Sequence, residues 1–409
     1  KLNGNLLQVG ERTFDLDRIR HIYVVGSGKA TFPLAVALEE ILTDRITEGF
    51  ISVKDGQITS RLSRIKVVEA AHPYPDRRSY EAALEIAAIA EKAGEADLVF
   101  CLMSGGVSAL SMLPVEGIRI EDKIQANDLL VNSGAEIKEI MTVRRHLSQI
   151  KGGRLAEKIF PATAIALTVS DAIGDPMEWN TDWTHPDSST VADAIAVLKK
   201  YGLWDKVSSA VQDYLTAPSP DKETPKTLDE SKIYNLMVVK TRQLSEAAAT
   251  RAEQLGLRSL ILTSLLQGES REVGRTLASI AMEAKRFNHP LTPPCAIIAT
   301  GETMVRIDEP VSGKGGRNQE LAAGAALDLI PDEPIVICSL GTDGTDGPTE
   351  YAGGIVDGST MIRAKENNVD IYCHLAEHDI LAALKKTDDA IKTKVTETNV
   401  CDISLCVVL

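Results

Sequence analysis

The feature that most constrains this chain is a repeating alternation: a short unbroken apolar run, then a stretch with helical spacing, then another apolar run. "HIYVVG" (21–26), "DLVFCLM" (97–103), "TAIALTV" (163–169), "CAIIAT" (295–300) and "PIVICSL" (334–340) show little of the polar alternation of a half-exposed strand. Strands built from them must be buried on both faces, which is the signature of a parallel sheet. Runs at 48–53, 66–70, 235–240, 258–264 and 401–409 complete the set, and stretches such as 79–93 and 268–287 read as helices between them. Strands alternating with helices build a sheet with helices packed on it.

The expected fold class is therefore α/β, in two domains, each a mostly parallel sheet flanked by helices, the N-terminal one Rossmann-like. Length supports the count, since 409 residues exceed what one hydrophobic core spans. The stretch 216–230, "TAPSPDKETPKTLDE", is rich in proline and charge and reads as the connection between domains at 1–218 and 231–409. A net charge of −14 argues against nucleic acid and anionic membranes as partners, while leaving room for local basic pockets that hold a small anion. The six cysteines show no metal-binding spacing and read as reduced core residues of a cytoplasmic protein. No apolar run reaches the roughly 18 residues of a membrane span. The chain begins at Lys1 without methionine, so a lost targeting segment stays open, and a homodimer is left open too.

Chemistry concentrates where the apolar runs stop. "VVGSGKATF" is a strand, a glycine turn and a helix start; Gly26 and Gly28 allow an anion close to the backbone and Lys29 adds positive charge. The dinucleotide fingerprint fails at Thr31, where a third small residue is needed, and at Lys54, where a ribose acid would follow the next strand. A Walker loop fails as well, at Tyr23 and Ala30. "CLMSGGVSAL" ends its strand in Ser104, Gly105, Gly106 and Ser108, donors for a phosphate or carboxylate or, alternatively, a tight turn with a serine cap. "VRRHLSQIKGGRLAEKI" (143–159) is the densest basic cluster, with Arg144, Arg145, His146, Lys151 and Arg154, and its helical spacing puts Lys151 on one face. Gly152–Gly153 in that helix would cost about 1 kcal/mol per residue, so a local purpose is expected.

Beyond the strand at 163–169 lie Ser170–Asp171 and Gly174–Asp175, then Asp182, His185 and Asp187; carboxylates there could hold Mg²⁺ while phosphates supply its remaining ligands. His185 and Asp187 read equally as solvated loop residues. After 295–300 come Glu302 and a cationic glycine loop, Ser312, Gly313, Lys314, Gly315, Gly316 and Arg317, opening into a helix at Asn318. "GTDGTDG" (341–347) follows the buried, parallel strand expected at 334–340 and supplies Asp343 and Asp346. Cations for phosphate, acids for a divalent metal and small donors for an anion form the inventory of phosphoryl transfer.

Together, "GSGKA", "HPYPD", "SGGVSAL", "VRRHLSQIKGGRLA", "SDAIGD", "GGRNQEL" and "GTDGTDGPTEYAGGIVDG" resemble, in this order, the glycerate kinases that carry a MOFRL C-terminal domain. The resemblance runs from about residue 22 onward. It implies an ATP- and Mg²⁺-dependent kinase acting on the 2-hydroxyl of D-glycerate, with two α/β domains and the active site in the cleft between them. By the same resemblance Lys29 and Arg317 contact phosphate. One segment departs: where many members have a small Ser-Gly-Pro-Thr turn, this chain reads "EWNTDWTHPDSST", with Trp179, Trp183 and His185. A bulky aromatic at a pocket wall would change what fits, which keeps related sugar acids and hydroxy acids open as substrates.

The expected arrangement follows. ATP phosphates lie over Gly26, Gly28, the 104–108 turn, Gly315, Gly316 and Asn318, held by Lys29 and Arg317. Mg²⁺ is carried by some of Asp171, Asp175, Asp343 and Asp346. The substrate meets Lys151, Arg154, His185, Glu302 or the 104–108 amides, and Asp171 or Asp343 orients or deprotonates its hydroxyl. A hydroxypyruvate-type reductase and a non-catalytic sugar-acid or nucleotide sensor are the alternatives.

Overall fold

A computed structural model describes residues 1–217, 222–307 and 313–409. They form two compact units, Lys1–Val169 with Met177–Val238, and Ser170–Pro176 with Val239–Leu409. The division thus falls at 238/239 and gives the loop 170–176 to the second unit; part of the proline-rich connection, 218–221, lies outside the described residues.

The first unit opens with an antiparallel ribbon that the sequence pattern did not announce: β1 (Leu2–Asn3), β2 (Leu6–Val9) and β3 (Arg12–Asp15). Its main sheet takes β4 (Ile22–Ser27), β5 (Glu48–Lys54), β6 (Ile65–Ala70), β7 (Leu98–Met103), β8 (Thr163–Val169) and β9 (Ile233–Val239) in the order β6-β5-β4-β7-β8-β9. The ladders from β6 through β8 are parallel, and bonds from Ala164 to Lys232 and from Ser170 to Val239 climb both strands together, so β9 is parallel too. Counted within the sheet, this is the 3-2-1-4-5-6 order of a doubly wound fold, whose switch point lies between β4 and β7.

The unbroken apolar runs follow from burial on both faces. Val24, Ile51 and Phe100 enter one core with Phe32 and Leu42 of α1 (Thr31–Leu42). Val25, Val99 and Cys101 enter the other, with Ile86 of α2 (Arg77–Glu91). A short α3 (Val107–Leu110) follows β7. Then α4 (Ile120–Val131), α5 (Ile137–His146), α8 (Val191–Lys200) and α9 (Ser209–Thr216) enclose a separate small core, while α6 (Arg154–Ile159) and α7 (Met177–Asn180) lie between them in sequence.

Two expectations need correction here. The basic stretch 143–159 is not one helix: α5 ends at His146, and Gly152 and Gly153 take left-handed φ of 61° and 85° in the turn that opens α6, with Gly153 at its N-cap. Trp183 is not a pocket wall either. It is fully buried in the same core as Ile150, Leu155 and Ile159.

The second unit contains β10 (Arg258–Leu266), β11 (Cys295–Gly301), β12 (Ile335–Gly341), β13 (Gly353–Asp357), β14 (Ala390–Ile391) and β15 (Asp402–Val408), ordered β10-β11-β15-β12-β13-β14. Helices α10 (Thr241–Gln254), α11 (Ser270–Phe287), α12 (Arg317–Ala326), α13 (Thr360–Glu366), α14 (Ile371–Ala376) and α15 (Ile380–Lys386) accompany it. This sheet is mixed rather than mostly parallel. Only β10–β11 run together; β15 is antiparallel to both β11 and β12, and β12 to β13. An apolar run reports burial, not direction, so the parallel assignment of 334–340 had no physical basis beyond pattern.

All six cysteines are free; Cys373 is exposed and Cys338 half-buried, so neither is the core residue expected. Among the described residues no helix is long and apolar enough to cross a membrane.

Candidate active site

At the switch point of the first unit the turns after β4 and β7 interlock. The Lys29 N–H donates to the Gly105 carbonyl at 2.8 Å and the Ser104 N–H to the Ser27 carbonyl at 3.3 Å. Helix α1 has no side-chain cap of its own at Ala30. Ser104 supplies one from the neighbouring strand: its Oγ accepts the Ala30 N–H at 2.8 Å and lies 3.2 Å from Thr31 Oγ1. Gly28 makes this possible, with φ of 135° and no room for a side chain: a Cβ there would stand 2.2 Å from Ser104 Oγ. Gly26 likewise lies against Leu102 of β7. The Lys29 carbonyl accepts Gln57 Nε2 at 2.5 Å, and the Lys29 and His72 side chains both pass close to Gly106. Lys29, Gly26, Gly28, Ser104, Gly105 and Gly106 are therefore brought together, and Ser108 sits half-buried in α3.

The basic cluster is used internally. Lys151 Nζ lies 2.9 Å from Asp182 Oδ2, and Arg145 bridges Asp182 at 2.6 Å and Asp187 at 3.2 Å. Burial pulls the Lys151 ammonium below its usual pKa, against the pull of Asp182. Burial would raise the Asp182 carboxyl, but Lys151 and Arg145 overcome it and hold it below the usual range. Arg154 donates to the Ser148 and Lys222 carbonyls, both at 2.6 Å, and His185 Nδ1 lies 2.9 Å from the Pro186 carbonyl oxygen. These three candidates lie among protein partners of their own unit.

In the second unit the site gathers at the carboxyl ends of β11 and β12. Because β15 is antiparallel, its first residue lies beside their last ones, so Gly301, Asp402 and Gly341 stand abreast. Asp402 Oδ2 accepts Arg317 Nε and Oδ1 accepts Nη2 at 3.1 Å; Glu302 Oε1 lies 2.6 Å from Nη1. Burial opposes the Arg317 charge, but the hydrogen bonds and charge of Asp402, with Glu302, hold the guanidinium firmly protonated. Asp402 was not singled out in the sequence. Its only signal is an acid opening an otherwise apolar strand.

The four metal-directed acids divide. Asp346 Oδ1 accepts the Asn318 N–H at 3.2 Å and Oδ2 the Gln319 N–H at 2.9 Å, so it caps α12, and burial pushes its pKa up to about 7. Asp175 Oδ1 accepts from the Thr241 N–H and hydroxyl at 3.0 and 3.1 Å, at the start of α10. Asp343 Oδ1 holds its own turn through the Thr345 N–H at 3.0 Å. Asp171 Oδ2 accepts Asn399 Nδ2 at 2.8 Å, and its carbonyl accepts the Cys401 thiol at 3.0 Å. Asp171, Glu302, Asp343 and Lys29 have other partners as well.

Asn318 is tied through its side chain to Asp346 and Ser339, Gly316 backs onto Asp346, and Gly315 packs on Ile380. Ser312 lies outside the described residues. Among the described residues no group of three or more His, Cys, Asp or Glu side chains is placed to hold a metal. Mg²⁺ needs only one or two carboxylates when phosphates supply the rest.

A doubly wound unit with a lysine at its switch point, and a mixed-sheet unit with an arginine clamped by carboxylates at its strand ends, define a two-unit α/β protein built to handle small anions. Residues 2–216 match the model described as a domain of unknown function (DUF4147), and residues 295–402 match the MOFRL family. D-glycerate 2-kinase of Thermotoga maritima is 40% identical over 95% of this chain and 90% of its own length. Glycerate 2-kinase of Pyrococcus horikoshii is 41% identical over 95% of this chain and 87% of its own. A crystal structure of glycerate kinase from Thermotoga maritima superimposes with a TM-score of 0.86 at 39% identity, covering 96% of this chain and 92% of that one. The chain belongs to the glycerate 2-kinase family.

Proposed function

We propose that this protein transfers the γ-phosphoryl group of ATP to the 2-hydroxyl of D-glycerate, with Mg²⁺ as the metal and a cytoplasmic setting. The observation that carries the reading is Arg317, fixed at the strand ends of the second unit beside Glu302, in a chain about 40% identical to a D-glycerate 2-kinase over 95% of its length. In this reading Lys29 in its unit and Arg317 in its own are each phosphate-directed cations that offset charge as the phosphoryl group leaves. Asp171 and Asp343 would hold Mg²⁺, which would supply charge neutralisation at the outer phosphates. One of these two aspartates also orients or deprotonates the attacking hydroxyl. The glycerate carboxylate is assigned to the 104–108 turn rather than to Lys151 or Arg154, because those two are engaged inside their own unit.

The reductase reading is less well supported. A dinucleotide needs the N–H groups at the start of α1, and the one at Ala30 is bound to Ser104.

The test is an ADP-release assay with ATP, Mg²⁺ and a panel of hydroxy acids, with NMR of the product to separate attachment at C2 from C3. Turnover with D-glycerate yielding the 2-phosphate is expected; NADPH-dependent reduction of hydroxypyruvate without kinase activity would overturn the proposal. Lys29→Ala and Arg317→Ala should each lose about 3 kcal/mol of transition-state stabilisation, roughly a hundredfold in kcat/KM. Near-normal turnover in both would remove them from the mechanism.

A further inference from the structure

We propose that Asp402 is the positioning residue of Arg317 and that Glu302 is an exchangeable counter-ion, displaced when a phosphate binds. This rests on the assignment of Arg317 to phosphate. The two acids hold different parts of one planar guanidinium. Asp402 takes Nε and Nη2, the side-on fork that fixes the plane of the group; Glu302 takes Nη1. They also differ in burial: the Asp402 side chain is 9% exposed, the Glu302 side chain 43%.

Breaking the Asp402 pair would strand a buried charge, while an exposed ion pair is weak and readily exchanged. The backbone fixes Asp402 from both sides. Asp402 stands in register between Gly301 and Gly341, in the ladders joining three strands, so its carboxylate cannot swing away with a loop. Glu302 follows the end of β11 with its N–H still bonded to the Leu266 carbonyl of β10 at 2.8 Å, so what is free to move is its half-exposed side chain. Arg317 is thus held on one side and offers Nη1 to whichever anion competes best. A phosphate oxygen carries more charge than a carboxylate oxygen and replaces it on that nitrogen.

The inference makes two neighbouring acids act in opposite directions. Titration calorimetry with inorganic pyrophosphate and with ADP, both without metal, compares the wild type with Glu302→Gln, Asp402→Asn and Arg317→Ala. Glu302→Gln removes the competitor and should tighten pyrophosphate binding about three- to tenfold. Asp402→Asn should weaken it fivefold or more and lower kcat, with the KM for D-glycerate little changed.

Equal or weaker binding in Glu302→Gln overturns the exchange, and wild-type binding in Asp402→Asn overturns the positioning role. If Arg317→Ala binds pyrophosphate like the wild type, it is the phosphate assignment itself that fails. Should Asp402→Asn fail to fold, Glu302→Gln, altered at a half-exposed side chain, still decides the exchange, and Asp402→Glu decides the positioning. The longer acid should recover the fold but misplace the guanidinium, so wild-type affinity there counts against the proposal.

Discussion

Asp346 sets a solvation penalty against a helix terminus. Two backbone N–H groups of α12 favour its charged form, but burial outweighs them and its pKa stands near 7 rather than at the ordinary value of 3.8. The fold therefore prefers this carboxyl protonated. Its contribution to stability is complete below about pH 4 and is lost as pH rises through 7. Between pH 5.5 and 8.5 the protein should lose about 1–2 kcal/mol of unfolding free energy through this residue. Denaturant midpoints across that range check it, and Asp346→Asn should flatten that part of the profile; an unchanged profile in the variant would refute it. At this scale charge inside a glycine loop is conspicuous in sequence, which is why Lys29, Arg317 and Asp343 stood out as candidates. Asp402 was not, since what makes it matter is strand direction. Lys151 looked like a ligand for an anion because Asp182, its partner, stands 31 residues away.

Among the elements, the junction of β4 and β7 carries the sharpest requirement. Ser104 caps α1 only if the β4 turn passes within contact distance of it, which is the role of Gly28. Gly28→Ala would need both an unfavourable φ and space that Ser104 already fills, so a loss of about 2–4 kcal/mol in stability is expected, read from a chemical denaturation curve. A loss under 1 kcal/mol would show that the two turns can separate. Most strands of the two six-stranded sheets were readable as apolar runs, but β13 and β14 were not, being short and, in β13, opened by two glycines. The ribbon β1–β3 was not, as its strands are two to four residues long. The glycine pair at 152–153 stood out, but it belongs to the turn that opens α6 and not to the middle of one continuous helix.

For the whole molecule, the two units hold separate cores, and Trp179, Trp183 and Trp204 all belong to the first. Tryptophan fluorescence therefore follows one unit while far-UV circular dichroism follows both. Their urea transitions should not coincide, and superimposable curves would show that the units unfold as one cooperative block. Length and a proline-rich stretch announced two domains. That residues 170–176 join the second unit could not be foreseen, since it depends on distant partners: the Ser170 N–H donates to Val239, and the Asp171 carbonyl accepts from Cys401. The position of β15 has a further consequence during synthesis. A strand near the middle of the second sheet is supplied by residues 402–408, so β11 and β12 wait beside a gap until that segment leaves the ribosome. Arg317 has no Asp402 until then, and a nascent chain stalled or frameshifted just short of this point would carry every glycine loop yet leave that guanidinium without its buried partner.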